Sequence, residues 1–172
     1  MDWRSLILDI PDYPKAGIIF KDITPLLAHG KGFQAAIEEM AQFILQHDLK
    51  PDVLACPEAR GFIFASALAQ RLGVGFIPLR KPGKLPRKVS RLSFDLEYGQ
   101  DILEVHADDV KAGMKVVMVD DVLATGGTMS ACMRLLEDLG AEVIGACFLL
   151  EIKALGGRDK LKAVPIAGLI EQ

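Results

Sequence analysis

The sequence predicts an α/β domain with a central, mostly parallel sheet flanked by helices, and three observations carry that prediction. Nearly unbroken apolar runs at 53–56, 75–79, 116–119 and 143–150 suit short strands buried on both faces. Helical spacing recurs between them, at 62–72 and 129–136, so strand, helix and strand alternate as a parallel sheet requires. The length of 172 residues, 51% hydrophobic and 25% charged, is that of one ordinary globular domain.

In chain order, residues 10–25 hold Pro11, Pro14, Gly17 and Pro25 around Ile18-Ile19-Phe20 and read as an irregular arm with one short extended piece. Phe33, Ile37, Met40 and Ile44 then recur at helical spacing, with Glu38, Glu39, Gln42 and Gln46 on other faces, which is an amphipathic helix. Lys50-Pro51-Asp52 breaks the chain before the first buried strand. The turn Pro57-Glu58-Ala59-Arg60-Gly61 leads from that strand into the helix at 62–72, which Gly73 stops. Further on, Met129, Cys132, Met133 and Leu136 share one helix face opposite Ser130, Arg134 and Glu137, and Gly140 provides the stop.

Two segments depart from this alternation. Residues 80–91, RKPGKLPRKVSR, carry six basic side chains and no acid in a chain whose net charge is -3, and Pro82, Gly83 and Pro86 forbid a regular helix. A solvated basic loop is the plain alternative; a local anion site is the functional reading. No aromatic residue interrupts the run to stack on bases, which argues against nucleic acid. Residues 92–105, LSFDLEYGQDILEV, alternate in part and break at Tyr98-Gly99, as a hairpin-like or mobile flap outside the core would.

Several classes are excluded. Cys56, Cys132 and Cys147 are odd in number and far apart, without a C-x-x-C pair, and read as buried reduced thiols of a cytoplasmic protein. His29, His47 and His106 lack metal-ligand spacing and read as surface or structural. The N-terminus does not read as a signal peptide. No apolar stretch approaches the roughly 20 residues of a membrane-spanning helix.

The chemistry concentrates at 115–128, KVVMVDDVLATGGT. If 116–119 is a buried parallel strand, Asp120 and Asp121 arrive at its carboxyl end, where open α/β sheets bind ligands. Adjacent carboxylates there suit hydrogen bonds to sugar hydroxyls or outer-sphere contact with a cation. Ala124, Thr125, Gly126, Gly127 and Thr128 follow with little side-chain bulk, so backbone N–H groups converge, two hydroxyls add donors, and the next helix adds its positive end. A tight turn alone would explain the glycines but not the acids and threonines beside them. The loop is neither G-x-G-x-x-G nor a P-loop. A phosphate cup one short loop from two acids fits a 5-phosphorylated ribose.

VMVDDVLATGGT resembles the phosphoribosyl pyrophosphate signature of type I phosphoribosyltransferases. GIIFKDITP (17–25), EARGF (58–62), RKPGKLP (80–86) and SFDLEYG (93–99) are similar, in order and spacing, to adenine phosphoribosyltransferases, so the resemblance covers nearly the whole chain. It implies one phosphoribosyltransferase domain, 1–172, with an N-terminal hood at about 1–32 and a flap at about 83–105, usually paired as a homodimer. The implied reaction is adenine plus phosphoribosyl pyrophosphate giving AMP and pyrophosphate, in purine salvage.

By similarity, Ala124, Thr125, Gly126, Gly127 and Thr128 hold the 5-phosphate, and Asp120 and Asp121 bind the ribose. Arg60, Arg80, Lys81 and Lys84 contact pyrophosphate, one of the last three across the dimer, and the peptide Glu58–Ala59 is a candidate for a non-proline cis bond. Glu97 matches the catalytic glutamate, and Tyr98 closes over the site. Ile19, Lys21 and Val122 line the adenine pocket, although the family more often has arginine at the position of Lys21, and lysine cannot make the same planar contact. Magnesium (Mg2+) is implied to arrive with the donor, with no direct protein ligand. Enzymes of this fold acting on xanthine, guanine or orotate share the signature but not the arm and flap motifs together. A non-catalytic sensor of the same donor would need a DNA-binding or interaction module, for which the core elements leave no room, and would not need Glu97.

Overall fold

The structure is a computed structural model that describes residues 2–96, 98–161 and 163–172. It contains two compact units, Met1–Glu39 and Met40–Gln172. In the first, a 3-10 turn at Trp3–Leu6 is capped by Asp2, whose carboxylate accepts from Arg4 N at 3.1 Å. Strand β1 (Leu8–Pro11) pairs antiparallel with β2 (Ile19–Asp22), Ile10 opposite Phe20. The short helix α1 (Thr24–Ala28) starts where the Asp22 carboxylate accepts from Thr24 N and Oγ1, at 2.9 and 2.7 Å. The arm expected to hold one extended piece thus holds a hairpin and a helical turn. Its prolines sit where they do no harm: Pro11 ends a strand and Pro14 follows a cis peptide in the connection.

Helix α2 (Gly30–Gln46) carries the chain from the first unit into the second, and Ile37, Met40 and Ile44 are buried along it as their spacing requires.

The second unit is built on a five-stranded sheet in the order β4-β3-β7-β8-β9, parallel throughout. Its strands are β3 (Val53–Pro57), β4 (Gly75–Leu79), β7 (Lys115–Leu123), β8 (Glu142–Glu151) and β9 (Ile166–Glu171). Helix α3 (Gly61–Leu72) connects β3 to β4, and α4 (Gly127–Asp138) connects β7 to β8. All five residues of β3 are buried, as the unbroken apolar run anticipates. Phe64 from α3, Leu136 from α4, and Leu54, Met118 and Phe148 from the strands are fully buried.

Between β4 and β7 the chain forms a hairpin of β5 (Val89–Leu96) and β6 (Gly99–His106), with Leu96 opposite Gly99. The segment was expected to lie outside the core, and here the structure corrects the sequence: Leu103 and Val105 are buried in the main cluster, with Leu92 and Phe94 packed against it. The root of β6 is held by paired backbone bonds of 2.8 Å between Arg80 and Glu104. No helix among the described residues is long and apolar enough to cross a membrane.

Candidate active site

Chain direction locates the site. From β3 the chain crosses to β4 on one side of the sheet, and from β7 to β8 on the other, so β3 and β7 flank a switch point where parallel sheets open a crevice. Pairing between them stops at Ala55 and Met118, while β7 runs on beside β8 as far as Leu123 opposite Glu151. Asp120 and Asp121 therefore lie within β7 rather than after it, on the stretch that β3 no longer covers. A cavity of about 390 Å³ opens here, lined by residues 57–60 and 120–126 with Thr128 and Met129.

One wall is the loop. Ala124, Thr125 and Gly126 join β7 to α4, and Gly126 adopts φ 80°, a left-handed conformation that reverses the chain within one residue. Helix α4 begins at Gly127, and its first backbone bond runs from Ser130 N to Gly126 O at 2.9 Å. The amides of Gly127, Thr128 and Met129 precede that bond and have no partner within the helix, as at any helix start. Amides left free at a helix start have the geometry that suits an anion.

The opposite wall carries charge. Asp121 is only 5% exposed, and Arg60 Nε stands 2.7 Å from its Oδ2. The contact is ionic rather than a well-aligned hydrogen bond, since Oδ2 has no hydrogen-bond partner of normal geometry among the described residues. Asp120 Oδ1 accepts from Asp121 N at 2.9 Å. Burial first, and then the neighbouring Asp121 carboxylate, hold the Asp120 carboxyl well above the usual carboxylate range. Two acids kept this close and this dry are poor for folding and well suited to a ligand that brings hydroxyls or positive charge.

The turn after β3 contains the cis peptide Glu58–Ala59 at the position expected for it. Glu58 itself was not foreseen as a site residue. Its Oε1 accepts from Lys81 N at 2.7 Å and Arg80 Nε at 3.1 Å, and the bond from Lys81 N leads the effects that hold this carboxyl below its usual range. Arg80 also lies 5.6 Å over the Phe62 ring, and Lys81 pairs with Asp101. Lys84 is exposed. Two further members of the run have structural partners: Arg87 Nη2 donates to both Asp109 oxygens at 2.9 and 2.7 Å, and Arg91 pairs with buried Glu104 at 3.0 Å. Glu58 thus selects which cations of the run stand beside the cavity turn.

Of the other expected positions, Val122 lines the same cavity. Ile19 and Lys21 lie in the first unit, Ile19 exposed and Lys21 paired with Asp9 on the adjacent strand. Tyr98 is 89% exposed. Glu97 lies outside the described residues.

Two glycines were also missed. A Cβ on Gly61 would fall 2.3 Å from Asp120 Oδ1 and 2.4 Å from Cys56 Sγ. Gly61→Ala is therefore expected to push Asp120 out of place, raising the donor KM and costing about 1–3 kcal/mol of stability; steady-state kinetics with thermal unfolding checks both. A Cβ on Gly157 would fall 2.2 Å from Ala124 O, so the turn at Gly157 lies directly under the loop.

The fold and this site define a parallel α/β protein with a crevice at its switch point, where helix-start amides stand beside paired acids. Residues 26–166 match the model of the phosphoribosyl transferase domain family. The adenine phosphoribosyltransferase of Dichelobacter nodosus is 68% identical over 171 residues, 99% of this chain and 98% of the relative. The crystal structure of adenine phosphoribosyltransferase from Thermoanaerobacter pseudethanolicus superposes with TM-score 0.92 at 50% identity, covering 98% of this chain and 97% of that one. The Saccharomyces cerevisiae enzyme of the same name, complexed with an imino-altritol 1,6-bisphosphate and adenine, superposes with TM-score 0.92 at 35% identity, covering 98% and 96%. This chain belongs to the phosphoribosyltransferase family, in its adenine phosphoribosyltransferase branch.

Proposed function

We propose that this chain is a cytoplasmic purine-salvage enzyme that moves the 5-phosphoribosyl group of phosphoribosyl pyrophosphate to adenine, giving AMP and pyrophosphate. The observation that carries this reading is the single cavity holding the start of α4 and the Asp120–Asp121 pair, one suited to a phosphate and the other to sugar hydroxyls. The family relatives supply the base: the yeast structure was solved with adenine.

In this reading Ala124–Thr128 receive the 5-phosphate, and the two acids take the ribose hydroxyls. As the bond to pyrophosphate breaks, the sugar gains positive charge and the leaving group negative charge. The acids favour the first, and Arg60, Arg80, Lys81 and Lys84 the second, one of the last three being contributed across a homodimer. Glu58 keeps Arg80 oriented in the meantime. Adenine lies against Ile19, Lys21 and Val122 and loses a ring proton as it attacks, with Glu97 as the base. Closure of the β5–β6 hairpin, with Tyr98, keeps out water that would compete as nucleophile.

Magnesium fits this donor set. Asp121 Oδ2 is buried without an aligned hydrogen-bond donor, so it can accept from a hydroxyl or from water on an ion carried by the donor. Asp120 and Asp121 would hold the donor–ion complex through hydroxyls or water, and the ion, when bound, would supply charge neutralisation for pyrophosphate. The test is AMP formation from adenine and donor with and without magnesium. Turnover is expected with adenine and to depend on the ion, whereas turnover of guanine or xanthine but not adenine overturns the assignment.

A further inference from the structure

The loop 124–127 has almost nothing of its own to hold its shape: its side chains are a methyl, one exposed hydroxyl and two hydrogens. Its shape comes from beneath. Gly157 O stands 2.4 Å from where a Cβ on Gly126 would be, and Ala124 O stands 2.2 Å from where one on Gly157 would be, so two stretches of bare backbone are pressed together. The lower stretch is bare at the pair Gly156–Gly157, where Gly156 in a left-handed conformation enters a 3-10 turn at Gly157–Lys160. The Arg158 side chain ties this turn to the sheet. Arg158 donates from Nε to Glu151 Oε1 at 3.0 Å, from Nη2 to Glu151 Oε2, and from Nη1 to Ile166 O at 3.0 Å. Glu151 is 4% exposed and is the last residue of β8, in register with Leu123, the residue from which the phosphate loop departs. Ile152 N closes the frame with a 2.9 Å bond to Leu123 O.

We propose that the Arg158–Glu151 fork is a positioning device for the donor's 5-phosphate: by holding the Gly156–Gly157 turn against residues 124–126, it sets the shape of the loop that binds the phosphate. The proposal rests on the reading of that loop as the phosphate cup. Neither residue touches substrate. The planar fork suits the task because three of its donors are committed at once to two neighbouring strands, which fixes the turn in position as well as in distance. Its charges also persist: the bonds from Arg158 hold the Glu151 carboxyl below its usual range.

The test separates the two ends of the donor. Ribose 5-phosphate probes the cup, and pyrophosphate probes the cationic end. In Arg158→Gln, the donor KM and the inhibition constant of ribose 5-phosphate are expected to rise together, about tenfold or more, while kcat, the adenine KM and inhibition by pyrophosphate stay within about twofold. Arg158→Lys should recover only part of the loss, because an ammonium cannot reproduce the fork. Glu151→Gln, which keeps the side-chain shape, should repeat the pattern and serves if Arg158→Gln fails to fold. An unchanged ribose 5-phosphate constant in these variants, or equal losses at both ends with a fall in kcat, overturns the positioning role. If ribose 5-phosphate does not compete with donor in the unmodified enzyme, the cup reading fails first and takes this proposal with it.

Discussion

Replacing Glu97 by alanine is expected to lower kcat by about a hundredfold to ten-thousandfold, the usual contribution of a placed general base, while donor affinity changes little. The expectation combines the resemblance of SFDLEYG to the family's flap with an inventory of the cavity. A base is needed because adenine must shed a ring proton as its nitrogen bonds to the sugar. The acids lining the cavity are already engaged: Asp121 with Arg60, Glu58 with Arg80 and Lys81, and Asp120 with the amide of Asp121. In the proposed reading Asp120 and Asp121 serve the ribose hydroxyls and Glu58 holds Arg80 and Lys81, so the proton is left to a carboxylate from the flap. Donor binding in that reading rests on Arg60, Arg80, Lys81, Lys84, Asp120, Asp121 and residues 124–128, none of which is Glu97. Single-turnover kinetics with saturating donor, set beside a direct donor titration, separates the two quantities. A rate equal to that of the unmodified enzyme removes Glu97 from the mechanism, and an equal loss of donor affinity makes it a binding residue.

The strands and helices of the larger unit were legible because each is a local pattern. The runs at 53–56 and 75–79 have no polar residue to confuse them, and Gly73 ends α3 where it stands. Legibility failed where a strand carries function or where contacts are remote. Strand β7 looks finished at Val119 because two acids follow, yet it runs to Leu123, with Asp121 buried in the place of an apolar residue. Strand β9 begins beside Pro165 and contains Ala167 and Gly168, too little β-branched bulk to announce itself, and it is held by parallel pairing with β8. Leu103 and Val105 belong to a hairpin whose root is core, which alternation alone does not distinguish from a free flap. The site followed the same rule. Asp120, Asp121 and residues 124–128 are contiguous and carry their chemistry on their face, whereas Glu58 gripping Arg80 and Gly157 supporting Gly126 join positions 22 and 31 apart in sequence. Glycine and glutamate at such places acquire meaning only from what the fold sets against them.

The second large effect is expected at Gly126, and the structure moves it there from its neighbour. Judged by sequence, Gly126 and Gly127 are equivalent, and alanine at Gly127 would be expected to obstruct the phosphate. In the folded chain, a Cβ on Gly127 has its nearest neighbour, Thr125 Oγ1, at 4.0 Å, so the protein itself accommodates it. Gly126 has neither freedom. Its φ of 80° costs a side-chain-bearing residue about 1–2 kcal/mol, and the added carbon would stand 2.4 Å from Gly157 O, a backbone atom that cannot swing away. The loop must therefore lift from the turn beneath it, and the amides of Gly127 and Thr128 move with it because α4 starts at the next residue. Gly126→Ala should weaken donor binding by at least about tenfold, the equivalent of about 1.4 kcal/mol, with a lowered unfolding temperature. Gly127→Ala should leave the unfolding temperature nearly unchanged, so that any loss of donor affinity there reports contact with the phosphate itself. Donor titrations and thermal unfolding of both variants decide the matter: normal donor affinity in Gly126→Ala would mean that the phosphate is held somewhere other than this loop.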